Sequence, residues 1–215
     1  MFTGIIEAVG AVKSIEKRGA SGRIKIEAGL DLSGTAIGES IAVSGACLTV
    51  VAVAGGSFTA DMSAETLRAT TLGALAAGSL VNVERALTLS KPLGGHLVTG
   101  HVDGVGAIRG VNPNGGYLDV EIGCPPELMA QLVKKGSVAV DGISLTVAGL
   151  KEDHFVAAVI PHTLANTTLR AAGLGAAVNI ETDIIGKYVE RFLSKGKPGG
   201  VTESFLAEHG FLRKG

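Results

Sequence analysis

Neither sign of charge is in excess. The chain has 19 basic and 20 acidic residues and a net charge of −1, which leaves no electrostatic footprint for nucleic acid or an anionic membrane surface. Cysteine is scarce. Cys47 and Cys124 are the whole complement; they make no disulfide framework and neither sits in a Cys-x-x-Cys pair, so free thiols in a cytoplasmic protein are the plain reading. Long apolar runs are also missing. The mean hydropathy of +0.40 comes mostly from Ala and Val in short segments, and Gly interrupts even "LGALAAGSLV". No stretch reaches the length a spanning helix needs. The opening "MFTGIIEAVGAVKSIEK" lacks a basic region and a cleavage site and is expected to be mature sequence. No phosphate loop, zincin helix or serine-hydrolase elbow occurs, and "GVGAIRG" places its third glycine one position late for a dinucleotide site. His96 and His101 have no cysteine pair upstream. On a strand, five residues apart, their rings would face opposite ways, so a shared metal is not expected.

What the chain does have is an echo of itself. "SIAVSGACLTV" (Ser40–Val50) returns as "SVAVDGISLTV" (Ser137–Val147) with 7 identities in 11 positions, a shift of 97 residues. The same shift lays "MSAETLRATTL" on "VIPHTLANTTL" and "VNVE" on "VNIE"; a shift of 96 lays "MFTGIIEAVGAV" on "LVTGHVDGVGAI". Blocks in the same order at so long a period mean two domain-sized copies rather than a solenoid. The expected division is 1–96, 97–185 and a tail, 186–215, with no counterpart in the first copy.

Within each copy the local pattern is β. "VAVDGISLTVAG", "HFVAAVI", "YLDVEI" and "RIKIEA" alternate or are rich in Val, Ile and Thr, and Gly-rich punctuation separates them. Many short strands in under a hundred residues argue for an all-β unit closed into a small barrel. Asp141-Gly142 and Ser44-Gly45 mark a tight turn or bulge at the same place in both copies. "AETLRATTLGAL" and "PPELMAQLVKKG" read as short helices between strands, and the tail segments "IIGKYVERFLSKG" and "VTESFLAEHGFL" as amphipathic helices that need a partner surface. Oligomerisation is the preferred reading; packing on the chain's own barrels is the other.

Ser144 and Thr146 would share one strand face, as would Cys47 and Thr49, so each copy presents a hydroxyl or thiol beside a threonine. The differences between copies carry more information. By alignment the second copy has His101, Ser144 and Asp183 where the first has Ile5, Cys47 and Ala86. Two similar pockets with unequal chemistry suit a reaction between two molecules of similar shape, only one of which needs proton transfer. Glu65 and His162 also occupy matching positions, where either could instead cap the following turn.

"MFTGIIE", "GGHLVTGHVDG", "GACLTV" with "DGISLTV", and "IPHTL", in this order, resemble the riboflavin synthase family of the homotrimeric, alpha-chain type. The resemblance spans essentially residues 1–190. It implies two tandem six-stranded Greek-key β-barrels and a C-terminal helix that draws three subunits together. It implies dismutation of two 6,7-dimethyl-8-ribityllumazine molecules into riboflavin and 5-amino-6-ribitylaminouracil, with no cofactor or metal and with the productive site between subunits.

Carried over by position, the resemblance places the ligand shell on Gly4, Ile5 and Ile6; on Cys47, Leu48 and Thr49; and on Asp61, Met62, Ser63, Ala64, Glu65 and Thr66. In the second copy it falls on Gly100, His101 and Val102, on Lys135, on Ser144, Leu145 and Thr146, and on Val159, Ile160, Pro161, His162, Thr163 and Leu164. Phe2 would cover one lumazine. His101 is expected to transfer protons, Ser144 with Asp183 to form the hydrogen-bonded pair that positions or activates a nucleophile, and Cys47 to line the twin site or supply a thiol. Ala64 stands where some family members carry Lys, and His162 where some carry Glu. A non-catalytic lumazine- or flavin-binding antenna protein of the same superfamily is the competing reading; such proteins tend to degrade the second site, which here is the chemically richer copy.

Overall fold

The computed structural model describes residues 1–195 and His209. Residues Met1–Ile184 form one compact unit, and it holds two closed antiparallel barrels. The first closes in the order β1-β2-β5-β4-β3-β6, from β1 (Ala8–Arg18), β2 (Ser21–Glu27), β3 (Ser40–Val43), β4 (Ala46–Ala54), β5 (Ser57–Met62) and β6 (Leu80–Arg85). The second uses β7 (Gly104–Asn114), β8 (Tyr117–Gly123), β9 (Ser137–Val140), β10 (Ile143–Leu150), β11 (Phe155–Val159) and β12 (Ala177–Thr182), closed as β10-β11-β8-β7-β12-β9. The fold is therefore the expected pair of six-stranded barrels.

Strand alternation explains why each barrel closes. On β4, Ala46, Leu48 and Val50 are buried while Thr49 is exposed; on β10, Ile143, Leu145 and Val147 are buried while Thr146 is exposed. The inward set packs around Phe58 in the first core and Phe155 in the second. Bulges recur at matching places, between Val50 and Ala52 on β4 and between Val147 and Gly149 on β10, where they supply the coiling a small closed sheet needs.

The short helices lie between strands: α1 (Ala64–Ala69), α2 (Pro126–Met129) and α3 (Pro161–Ala165). Ser63 starts α1 by accepting the Thr66 N–H at 3.0 Å, and Pro161 opens α3.

The barrels grip each other through two asparagines. Asn82 Nδ2 donates to the Asp141 carbonyl at 2.9 Å, and Asn179 Nδ2 donates to the Ser44 carbonyl at 2.7 Å. Their amide oxygens accept the Thr168 and Thr71 N–H groups at 2.8 and 2.7 Å. Asn82 and Asn179 are almost fully buried, so satisfying both ends of each amide is what makes their burial tolerable. These are the second residues of the repeated "VNVE" and "VNIE".

The remaining helix, α4 (Ile184–Lys195), begins the tail. Among its side chains Ile185, Tyr188, Val189, Phe192 and Leu193 are exposed. The second tail segment read as helical, "VTESFLAEHGFL", falls almost entirely outside the described residues. Among the described residues no helix is long and apolar enough to cross a membrane.

Candidate active site

Each barrel has an outward-facing wall carrying the paired residues read from the sequence. Cys47 and Thr49 stand on β4, Ser144 and Thr146 on β10. What completes each wall is a segment running in from outside the barrel strands.

Thr3, Gly4 and Ile5 form one elbow. The carboxylate of Glu84 on β6 accepts the Thr3 N–H and hydroxyl at 2.7 and 2.6 Å and the Gly4 N–H at 3.0 Å. Thr99, Gly100 and His101 form the second, with Glu181 on β12 accepting the Thr99 N–H and hydroxyl at 2.7 Å each and the Gly100 N–H at 3.0 Å. Both elbows need a left-handed glycine, at φ +74° for Gly4 and +83° for Gly100.

The elbows cross. The Gly4 carbonyl accepts the N–H of Ser144, in the second barrel, at 2.8 Å; the Gly100 carbonyl accepts the N–H of Cys47, in the first, at 2.8 Å. A Cβ on Gly4 would meet that of Ser144 at 2.6 Å, and one on Gly100 would meet that of Cys47 at 2.5 Å. Ile6 accordingly packs on the second core and Val102 on the first. Where they cross, Phe2 and Val98 exchange main-chain hydrogen bonds of 2.7 and 3.2 Å, and both side chains are buried.

This corrects the grouping by copies. His101 belongs to the wall of Cys47, not to that of Ser144, and Ile5 belongs to the wall of Ser144. The Ser144 hydroxyl also has a different partner from the one expected. It lies 2.7 Å from Nδ1 of His96, on the linker between barrels, and Asp183 acts on that imidazole by charge. Burial pushes the His96 pKa below its ordinary value while the Asp183 charge opposes this, so the ring is neutral at pH 7 and able to take a proton. His96 is 8% exposed, and its Nε2 is buried with no partner among the described residues. From the sequence His96 is weighed only as half of a metal pair with His101. Lying in the linker, it has no counterpart in the first copy, so comparing copies could not single it out.

The other positions divide by orientation. Leu48, Met62, Leu145 and Val159 point into the cores, and Phe2 is likewise fully buried at the crossing; a ligand outside would meet their main chains. On the first wall Thr49 pairs in register with Asp61, which is bound by Arg23 at 2.7 and 3.2 Å. Ser63, Ala64 and Glu65 are exposed beside it and Thr66 is half-buried. On the second wall Ile160, Pro161 and His162 are exposed, Thr163 and Leu164 half-buried. Lys135 is exposed and holds φ +69°. Its N–H donates to the Val147 carbonyl at 2.8 Å, beside Thr146.

Residues 3–86 and 99–183 each match the family model described as the lumazine binding domain. The chain belongs to the lumazine-binding family. Both matches begin on an elbow threonine, so the repeat unit of this lumazine-binding chain includes the segment that crosses to the other barrel. A riboflavin synthase of Bacillus amyloliquefaciens is 43% identical over 98% of this chain and 100% of its own. One from Mycobacterium bovis is 46% identical over 90% of this chain and 98% of its own. Among solved structures, LumP complexed with 6,7-dimethyl-8-(1'-D-ribityl) lumazine superposes with a TM-score of 0.76 at 26% identity, over 85% of this chain and 99% of that one. LumP complexed with riboflavin gives 0.77.

Proposed function

We propose that the chain is a riboflavin synthase, a cytoplasmic, cofactor-independent transferase. It takes two molecules of 6,7-dimethyl-8-ribityllumazine and moves a four-carbon unit from one to the other, giving riboflavin and 5-amino-6-ribitylaminouracil. The observation that carries the reading is the pair of walls with one architecture and unequal chemistry. Equal architecture fits two copies of one flat ligand; unequal chemistry fits a donor and an acceptor.

The assigned roles follow the crossed geometry. Ser144 is the activated hydroxyl and His96 takes its proton at Nδ1. In that tautomer Nε2 carries the hydrogen, which leaves a buried donor for a ligand atom. Asp183 favours the imidazolium that results. Opposite, His101 exchanges protons with the methyl group that becomes the carbanion, and Cys47 lines the same wall. The main chains of Gly4–Ile6, Leu48, Gly100–Val102 and Leu145 offer hydrogen bonds to the ring edge; Thr49, Thr66, Thr146 and Thr163 suit the ring edge or the ribityl chain, along with Asp61, Ser63, Lys135 and His162. Much of the acceleration comes from holding two rings face to face.

Thr49, Thr146 and His101 are exposed, so each wall is an open face, and an open face supports a productive site closed by a neighbouring subunit. The exposed apolar residues of α4 support the homotrimer. Residues 1–96 and 97–185 are taken as the two ligand-binding domains and 186–215 as the oligomerisation tail.

The test is to add the lumazine to the purified chain with chelator and no cofactor. One riboflavin formed per two lumazines consumed is the expected result. A ligand that binds tightly with an unchanged spectrum over hours would place the chain with non-catalytic antenna proteins instead.

A further inference from the structure

Glu84 and Glu181 are unlike the other carboxylates of the first 184 residues. They are 1% and 2% exposed, they close the repeated "VNVE" and "VNIE" blocks, and the roles assigned above use neither. A buried carboxylate is costly unless its oxygens are filled by donors, and each of these accepts three hydrogen bonds from a single elbow. Lys91 also lies 3.9 Å from Glu84, and the three elbow bonds are the same in both copies. The oxygens are spent on Thr-Gly segments and nothing of a ligand is needed to explain them.

Where those segments go gives the carboxylates their role. Glu84 stands on β6 of the first barrel, and the elbow it holds lies on Ser144 of the second. Glu181 stands on β12 of the second barrel, and the elbow it holds lies on Cys47 of the first. The elbow hydroxyls lock the next residue as well: Thr3 Oγ1 accepts the Ile5 N–H and Thr99 Oγ1 the His101 N–H, both at 3.2 Å.

We propose that Glu84 and Glu181 are positioning residues acting across the barrel boundary, each fixing the segment that completes the other barrel's ligand wall. The inference deepens the riboflavin synthase reading and rests on it for the meaning of the walls, while its geometry stands without ligand. A carboxylate that merely stabilised its own barrel would affect the wall of that barrel. These two act on the opposite one.

Glu84→Gln and Glu181→Gln in the full-length chain test this, because a glutamine turns one acceptor oxygen into a donor facing an N–H. Two reporters are read without lumazine: the rate of Cys47 alkylation by iodoacetamide, with Cys124 as internal reference, and the NMR titration of His96. With a charge-assisted hydrogen bond lost, Glu181→Gln is expected to speed Cys47 alkylation about tenfold and leave His96 in place. Glu84→Gln is expected to displace the His96 titration and leave the Cys47 rate within about twofold. Shifts confined to the same barrel, or both reporters moving in both variants, would overturn the proposal. Should either variant not fold, Thr99→Val and Thr3→Val remove only the elbow hydroxyl and must give the same crossed pattern, about threefold in the Cys47 rate. An unmutated chain that fails to make riboflavin would defeat the functional reading alone; an uncrossed pattern in a chain that does make it would defeat this inference alone.

Discussion

Ser44 and Asp141 occupy the same left-handed turn position, at φ +41° and +45°. Both side chains accept a strand N–H, Ser44 from Asn82 at 3.3 Å and Asp141 from Asn179 at 2.8 Å. A serine suffices for that bond, so the carboxylate adds a charge where the geometry needs none. Burial pushes the Asp141 pKa up to about 7, and the Asn179 N–H offsets only part of the rise. The unfolded carboxyl titrates near about 3.9. A folded pKa above the unfolded one means that stability, full below about pH 4, is lost as pH climbs through 7. Asp141→Asn is expected to recover on the order of 2 kcal/mol at pH 8 and nothing at pH 4. Thermal melts of both proteins across that range check it, and parallel curves would refute the sign. Ser144→Ala keeps the main-chain contact to Gly4 and removes only the hydroxyl facing His96. It is expected to slow turnover by about a hundredfold with lumazine binding largely intact; loss of binding alongside turnover, seen by fluorescence titration, would end its assigned role.

The turns joining β3 to β4 and β9 to β10 press against each other where the barrels meet. Gly45 and Gly142 sit at φ +82° and +77°, and a Cβ on Gly45 would come 2.7 Å from the Gly142 nitrogen. Gly45→Ala therefore combines backbone strain with a clash against main chain that cannot swing away, and is expected to cost about 3 kcal/mol or more. Gly115→Ala, at φ +57° with nothing within 4 Å of the added carbon, is expected to cost only about 1 kcal/mol. Urea unfolding of the pair separates strain from contact. The turns themselves were legible as Ser-Gly and Asp-Gly, and the strands as alternation, because those signals are local. That one turn meets its twin was not, since nothing in a glycine announces what lies against it. The crossing elbows were hidden for a related reason. Aligning copies sets His101 beside Ile5, whereas the fold sets His101 beside Cys47, about half a repeat away in sequence. Comparing the copies could not single out His96, because its place in the linker occurs once.

Over the whole molecule the repeat predicted the two barrels, and the tail was read as needing a partner surface. On α4, Phe192 and Leu193 are 72% and 71% exposed, more apolar area than a helix leaves in water without cause. Phe192→Asp is expected to give a smaller species by sedimentation and to reduce turnover at least about tenfold, since a wall left open holds no second ring in place. Turnover unchanged in a monomer would mean that both walls of one chain suffice. The crossing of the elbows has one more consequence. Cut at the linker, each half would keep its barrel but carry an elbow whose seat lies on the other half, and the seat left empty would accept an identical elbow from a second copy. The chain is thus built as a twofold dimer whose protomers share a backbone, and one half paired with a copy of itself would already have possessed two complete walls. They would have been identical. The linker that joins the halves carries His96 against Ser144, and with it a difference between the walls that has no counterpart in the first copy.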